Sequence, residues 1–238
     1  MAGGSEPVRG GQGMDYQTKE ERIADFLREA IISGRFPRGT RLKQLEIAKL
    51  LQTSITPVRE ALKLLSAEGY VIGDSYRGAT VAPFDASASN EMLKLRILLE
   101  SQLVQSAVER ATASDIDDLR QIQHEFHQAA AAQDSEGARA ANYRFHRRIH
   151  DIAALPMTLN FVQILWARYP FDLINRIGGR PDRAGGEHDE LLRAFLEHDA
   201  PAAVLITRRH IESGWRELQK ILAPGDREAH SRAKAQAR

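Results

Sequence analysis

The chain contains no cysteine in 238 residues, which excludes disulfides and any thiolate metal site. It has no apolar run long enough to cross a bilayer, so no membrane partner is expected. Its first 16 residues are glycine-rich without an apolar core, so they read as a flexible leader, not a secretory signal. A cytoplasmic location fits all three absences. Net charge is also scarce: 33 Lys and Arg against 32 Asp and Glu leave +1. No overall field marks a binder of polyanions. What the chain does have is 42% hydrophobic residues, enough to build two cores at this length.

The most informative stretch is Ser54-Ile55-Thr56-Pro57-Val58-Arg59-Glu60-Ala61-Leu62. Thr-Pro opens a helix well: threonine can cap, and proline in the first turn gives up only an N–H that has no partner there. The exposed face of that opening carries Ser54, Thr56 and Arg59. Upstream, Ile23, Phe26, Leu27, Ala30 and Ile31 fall at helical spacing, predicting a helix over 18–33 that stops at Gly34. Leu42, Leu45, Ile47, Ala48, Leu50 and Leu51 make a second short helix. The third runs from about Ser54 to Glu68 and ends at Gly69. Tyr70-Val71-Ile72 and Ala79-Thr80-Val81-Ala82 are β-prone runs around a turn, hence a hairpin with Arg77 and Gly78 at its tip.

Three helices and a hairpin within 17–84 make a winged helix-turn-helix. Its third helix would offer N-terminal amides to a phosphate and Arg59 to a guanine edge. The segment holds eleven Lys and Arg against eight Asp and Glu, so the motif and not the charge carries the expectation of double-stranded DNA as partner.

From residue 88 the pattern becomes helical throughout, over 88–110, 113–132, 135–153, 157–177, 185–198 and 200–222. Thr112 with Asp115 makes a capping pair. The fold class is mainly α: the winged helix-turn-helix is followed by an all-α antiparallel bundle over 88–222. The polar tail 223–238 reads as disordered. Asn142, His146 and His150 share one helix face. His188 opens the penultimate helix and His210 lies midway along the last, between Arg208 and Arg209. Imidazoles and an amide oxygen from separate helices could converge on one divalent metal. Spacing alone leaves satisfied or surface histidines as the alternative, and His124, His127 and His198 read that way.

Residues 17–84 resemble the winged-helix domain of the GntR family of bacterial transcription regulators. The matching pieces are Ile32-Ser33-Gly34-Arg35-Phe36-Pro37-Arg38-Gly39, Arg41-Leu42, Thr56–Leu62 and Glu68-Gly69-Tyr70-Val71. Two positions depart from the family: Ile55 stands where an arginine is usual, and Gln52 where glycine is usual. The first affects operator choice. The second would place an ordinary residue in a left-handed turn, at about 1 kcal/mol.

Residues 88–222 resemble the metal-binding version of the ligand domain in the FadR subgroup. That resemblance implies Asn142, His146, His188 and His210 as ligands of a divalent ion, zinc first, with nickel or manganese tolerated. His150 lies outside the family pattern. Asn142 in place of the commoner aspartate removes one negative charge, so weaker metal retention is expected. Arg96 matches an arginine that faces the effector cavity in such relatives, against a plain helical pair with Glu100.

Together these imply a repressor that binds a palindromic operator as a homodimer and responds to a small organic acid. The alternative is a metal-dependent hydrolase. It is disfavoured because Glu187 is the sole nearby candidate for a general base, so no catalytic residue is expected.

Overall fold

The computed structural model describes residues 17–73, 78–84, 89–171 and 180–222. The expected leader, the wing tip with Arg77, residues 172–177 of the helix expected over 157–177, and the tail 223–238 lie outside the described residues.

Helix α1 (Lys19–Ile32) starts at a capping box, in which Glu21 N–H donates to Thr18 Oγ1 at 3.3 Å and Thr18 N–H to Glu21 Oε2 at 2.7 Å. It buries Ile23, Ala24, Leu27, Ala30 and Ile31 against α3 (Ile55–Glu68), which answers with Val58, Ala61, Leu62 and Leu65. Each such aliphatic side chain withdrawn from water is worth about 1.5–3 kcal/mol. Arg28 crosslinks the two helices through paired hydrogen bonds to Glu68 at 2.7 and 2.6 Å. Gly69, at φ +89°, ends α3 in the left-handed region, and Tyr70 N–H returns to Leu65 O at 2.9 Å.

Two local expectations are corrected here. Leu42 belongs to a strand, β1 (Arg41–Leu42), and not to the second helix, which is α2 (Gln44–Leu50). Strands β2 (Val71–Ile72) and β3 (Ala79–Val81) form the hairpin, but β1 adds to it in the antiparallel order β1-β3-β2, with Leu42 opposite Ala79. A two-residue strand is too short to show a period of two. The opening of α3 also differs: Ser54 occupies the cap position without a side-chain capping bond, and Thr56 sits inside the first turn. Gln52 does adopt the left-handed turn, at φ 49°.

The second half is built from α4 (Ser89–Arg110), α5 (Ala113–Ala131), α6 (Ser135–Ile152), α7 (Pro156–Arg168), α8 (Arg180–Leu196) and α9 (Ala200–Leu222). The Thr112–Asp115 capping box opens α5. Helix α4 packs on α9, α6 and α7, while α5 packs on α6 and α8 around Leu103, Leu119, Phe145, Ile149 and Phe195. The helix expected over 157–177 stops at Arg168, and Tyr169 is extended.

Helix α8 starts earlier than expected, at Arg180, so His188 lies in its middle and not at its opening. Pro181 suits a first turn, and Gly185 is tolerated for a packing reason. A Cβ there would meet His127 Cε1 at 3.0 Å and Phe126 Cε1 at 3.2 Å. The bare backbone lets α5 approach α8.

The halves touch along α1 and α6. Arg144 bridges Glu29 at 2.9 Å and Glu125 at 2.8 Å, and the Arg139 Nε–H donates to Ser33 O. Arg38, in the loop before β1, donates to Ala82 O at 2.9 Å and to Tyr169 O at 2.8 Å beyond the end of α7.

Candidate functional site

In the winged half, Ser54, Ile55 and Thr56 are exposed at the start of α3, and Arg59 is half-buried with Nε 3.6 Å from Glu60. Gly78 has φ +100°, and a Cβ on it would lie 3.0 Å from Leu42 O. The glycine is therefore required by the approach of β1, whatever else it does. Arg77 is outside the described residues.

In the helical half, His146 on α6, His188 on α8 and His210 on α9 come together, with one ring nitrogen of each within 4.8 Å of the others. His146 Nε2 and His188 Nε2 are 3.1 Å apart. His188 is 1% exposed and stacks on Phe145, with ring centroids 4.5 Å apart. Burial first, then the neighbouring rings of His210 and His188, hold His146 well below the usual histidine range, so its ring is neutral at neutral pH. Imidazole nitrogens crowded this closely suit a cation better than they suit one another. The donor set fits a divalent ion.

Asn142, one turn before His146, lines the same cavity as His146 and His210. Arg96 and Glu100 of α4 line it too, together with Tyr143, Trp166 and Thr207, and Ile32 reaches it from the winged half. Both readings of Arg96 hold: it faces the cavity, and its Nε–H donates to Glu100 Oε1 at 2.6 Å. Trp166 Nε1–H adds a bond to the same oxygen at 3.0 Å. Burial works to raise the Glu100 carboxyl, but the Arg96 guanidinium, His150 and these hydrogen bonds prevail and hold it below its usual range. Arg96 also lies over the Tyr169 ring, 4.2 Å from its centre. The Thr207 hydroxyl is buried with no hydrogen-bond partner. The cavity thus offers the Arg96–Glu100 ion pair, an unanswered hydroxyl and a cluster of imidazoles.

His150 is not in the cluster. It is 3% exposed, 3.9 Å from Glu100 and beside Trp166, and burial pushes it down to about 4. Arg208 and Arg209, which flank His210, pair outward with Glu212 at 2.9 Å and with Glu190. His127 shares the Asp189 carboxylate at 3.1 Å, and His124 Nε2 meets Gln128 at 2.9 Å.

Sequence reasoning passed over Gln123. Its signal was a lone polar residue in the buried stripe Ile116, Leu119, Gln123, Phe126 of α5.

A winged helix-turn-helix joined to an all-helical bundle is the architecture of a DNA-binding transcription regulator. Residues 19–81 match the bacterial regulatory proteins of the gntR family, and residues 91–213 match the FCD domain. The chain belongs to the gntR family, with an FCD domain as its C-terminal half. It is 29% identical over 203 residues to the uncharacterized HTH-type transcriptional regulator YdhC of Bacillus subtilis (strain 168), covering 84% of this chain and 90% of that protein. It is 25% identical over 227 residues to the galactonate operon transcriptional repressor of Escherichia coli (strain K12), covering 85% and 98%.

Among solved structures, E. coli McbR/YncC shares the fold with a TM-score of 0.70 at 24% identity, over 84% of this chain and 97% of that one. The family and these relatives are transcription regulators and not enzymes, so the hydrolase alternative has no support. No described helix is long and apolar enough to cross a membrane.

Proposed function

We propose that this regulator is a cytoplasmic repressor whose grip on its operator is set by a small carboxylate held beside a divalent ion in the helical half. The observation that carries the reading is the convergence of His146, His188 and His210 beside a cavity that also holds Arg96. His146, His188 and His210, with Asn142, would hold the ion, zinc by preference and nickel or manganese tolerated. Once bound, the ion supplies a concentrated positive charge with positions open to an acid. Arg96 orients the other end of the acid, and the partnerless Thr207 hydroxyl favours an acid that carries a hydroxyl. The galactonate operon repressor is a relative whose named operon concerns a hydroxylated acid.

The 17–84 segment reads the operator. Ser54, Thr56 and Arg59 lie at the groove-facing start of α3, with Arg77 and Gly78 on the wing. One winged helix neutralises few phosphates, so a homodimer on a palindrome is the working unit. Exposed Leu95 and Leu98 on α4 and Met157 and Phe161 on α7 supply apolar surface for pairing.

The test uses purified, zinc-loaded protein and a duplex selected from random sequence. A library of organic acids is screened by melting shift, and hits are added to the DNA complex. Release of DNA by an acid that also raises the melting temperature is expected. Binding of the duplex unaffected by every stabilising acid would sink the sensing role.

A further inference from the structure

A histidine ring can give a metal only the nitrogen that carries no proton, and its other nitrogen's partner decides which one that is. Gln123 of α5, 3% exposed, supplies that partner for His188. Its Nε2 lies 3.0 Å from Gly185 O and 2.8 Å from Asp189 Oδ1, two acceptors, and 2.9 Å from His127 Nε2. The NH2 group must face those oxygens, because a flipped amide would set oxygen against oxygen. Its Oε1 therefore faces His188 Nδ1, at 3.0 Å. An amide oxygen only accepts, so the ring proton sits on Nδ1 and the lone pair on Nε2, the atom 3.1 Å from His146 Nε2.

His210 is treated the same way. Its Nδ1 lies 2.6 Å from Glu187 Oε2, and the other oxygen of that carboxylate takes the Ser213 hydroxyl at 3.4 Å. The carboxylate accepts from Nδ1–H, so in the neutral ring Nε2 is the nitrogen without a proton.

We propose that Gln123 and Glu187 are positioning residues that lock His188 and His210 as Nδ1–H tautomers, so that both offer Nε2 to one shared ion. The metal part of this rests on the reading above; the tautomers do not. Neither residue belongs to the ligand set implied by resemblance. Glu187, considered earlier as a general base, has its carboxylate committed to His210. Gly185 belongs to the device: a Cβ there would press on His127 Cε1 at 3.0 Å and Phe126 Cε1 at 3.2 Å, on the helix that carries Gln123. Partners of this kind typically change metal affinity about 10- to 100-fold.

Histidine 15N–1H spectra of metal-free protein read the tautomers directly, and cobalt(II) with a competing chelator reads affinity and the visible ligand-field bands. In the wild type, His188 and His210 are expected as Nδ1–H forms. Gln123→Met, of similar length but without the acceptor, should let His188 populate Nε2–H, weaken cobalt about 10- to 100-fold and shift the bands. Glu187→Gln keeps an acceptor oxygen and should preserve the His210 tautomer and most of the affinity; Glu187→Leu should not. Circular dichroism and operator binding confirm that each variant is folded. An Nε2–H tautomer at His188 in the wild type, or unchanged cobalt affinity and bands in Gln123→Met, overturns the proposal. Failure of the wild type to take up cobalt would overturn the metal reading alone, and the ring spectra would still decide the positioning claim.

Discussion

The two candidate sites carry their polar residues in opposite ways. At the start of α3, Ser54 and Thr56 are exposed, and Ser54 makes no side-chain cap bond. In the bundle, His188 and Gln123 are buried, and the two are tied to each other and to Asp189 across α5 and α8. The difference follows from what each half must meet. A DNA groove is itself a polar, hydrated surface, and reading it needs side chains free to adapt. A small ligand in a dry cavity needs donors fixed beforehand, because an unpaired buried group there costs about 1–3 kcal/mol.

The comparison is broken most severely at the histidines. His188→Ala and His210→Ala should each lose metal and acid response altogether while keeping operator binding, whereas His150→Ala should keep both. Elemental analysis checks this, and equal metal in wild type and both variants would remove the site.

Next in size is acid sensitivity. His150 is buried neutral, pushed down to about 4 by burial, against the pull of Glu100. A base depressed in the folded state contributes stability that is intact above its unfolded pKa and is lost as pH falls through the folded value. Stability should therefore fall between about pH 6.5 and 4, by about 3 kcal/mol from this residue. Urea melts of wild type and His150→Leu at pH 7 and 4.5 should show a shallower acid loss in the variant; parallel losses would contradict the account.

Arg59→Ala probes the exposed half. It should cost about 1–3 kcal/mol of specific operator binding and relax one base position, with metal content unchanged. Gel shifts on single-base operator variants read this out, and full affinity would show that another element of the winged half reads the DNA. The converse variant, Ile55→Arg, should tighten binding to any duplex if that position serves phosphates.

The smallest effect is at Gln52. Replacing it with glycine relieves a left-handed strain of about 1–2 kcal/mol and adds about 0.5–1 kcal/mol of chain entropy to lose. A net gain of about 0.5–1 kcal/mol should appear as a slightly higher melting temperature.

The reader half was legible because its signals are contiguous: the stops at Gly34 and Gly69 and the Thr56–Leu62 run each sit on one helix or at its end. The histidine cluster was legible only in part. The spacing of Asn142 and His146 is local, but bringing in His188 and His210 needed the family pattern. What escaped were features created by contact between distant segments. The pairing of β1 needs Ala79, the close approach at Gly185 needs α5, and the role of Gln123 needs α8. None of these leaves a periodic trace along the chain.

Arg38 gives the molecule a mechanical property. One guanidinium grips the end of β3 at Ala82 and the turn after α7 at Tyr169, whose ring lies under Arg96 in the cavity. Arg38 thus rivets the reader to the bundle directly behind the cavity wall, alongside the Arg139 and Arg144 contacts of α6 with the winged half. Swinging the winged helix away from α7 must first shear that rivet, and anything that displaces the Tyr169 backbone loosens it. A shift of the winged half against α7 would therefore be felt at the cavity wall as well as at the contacts of α6 with α1.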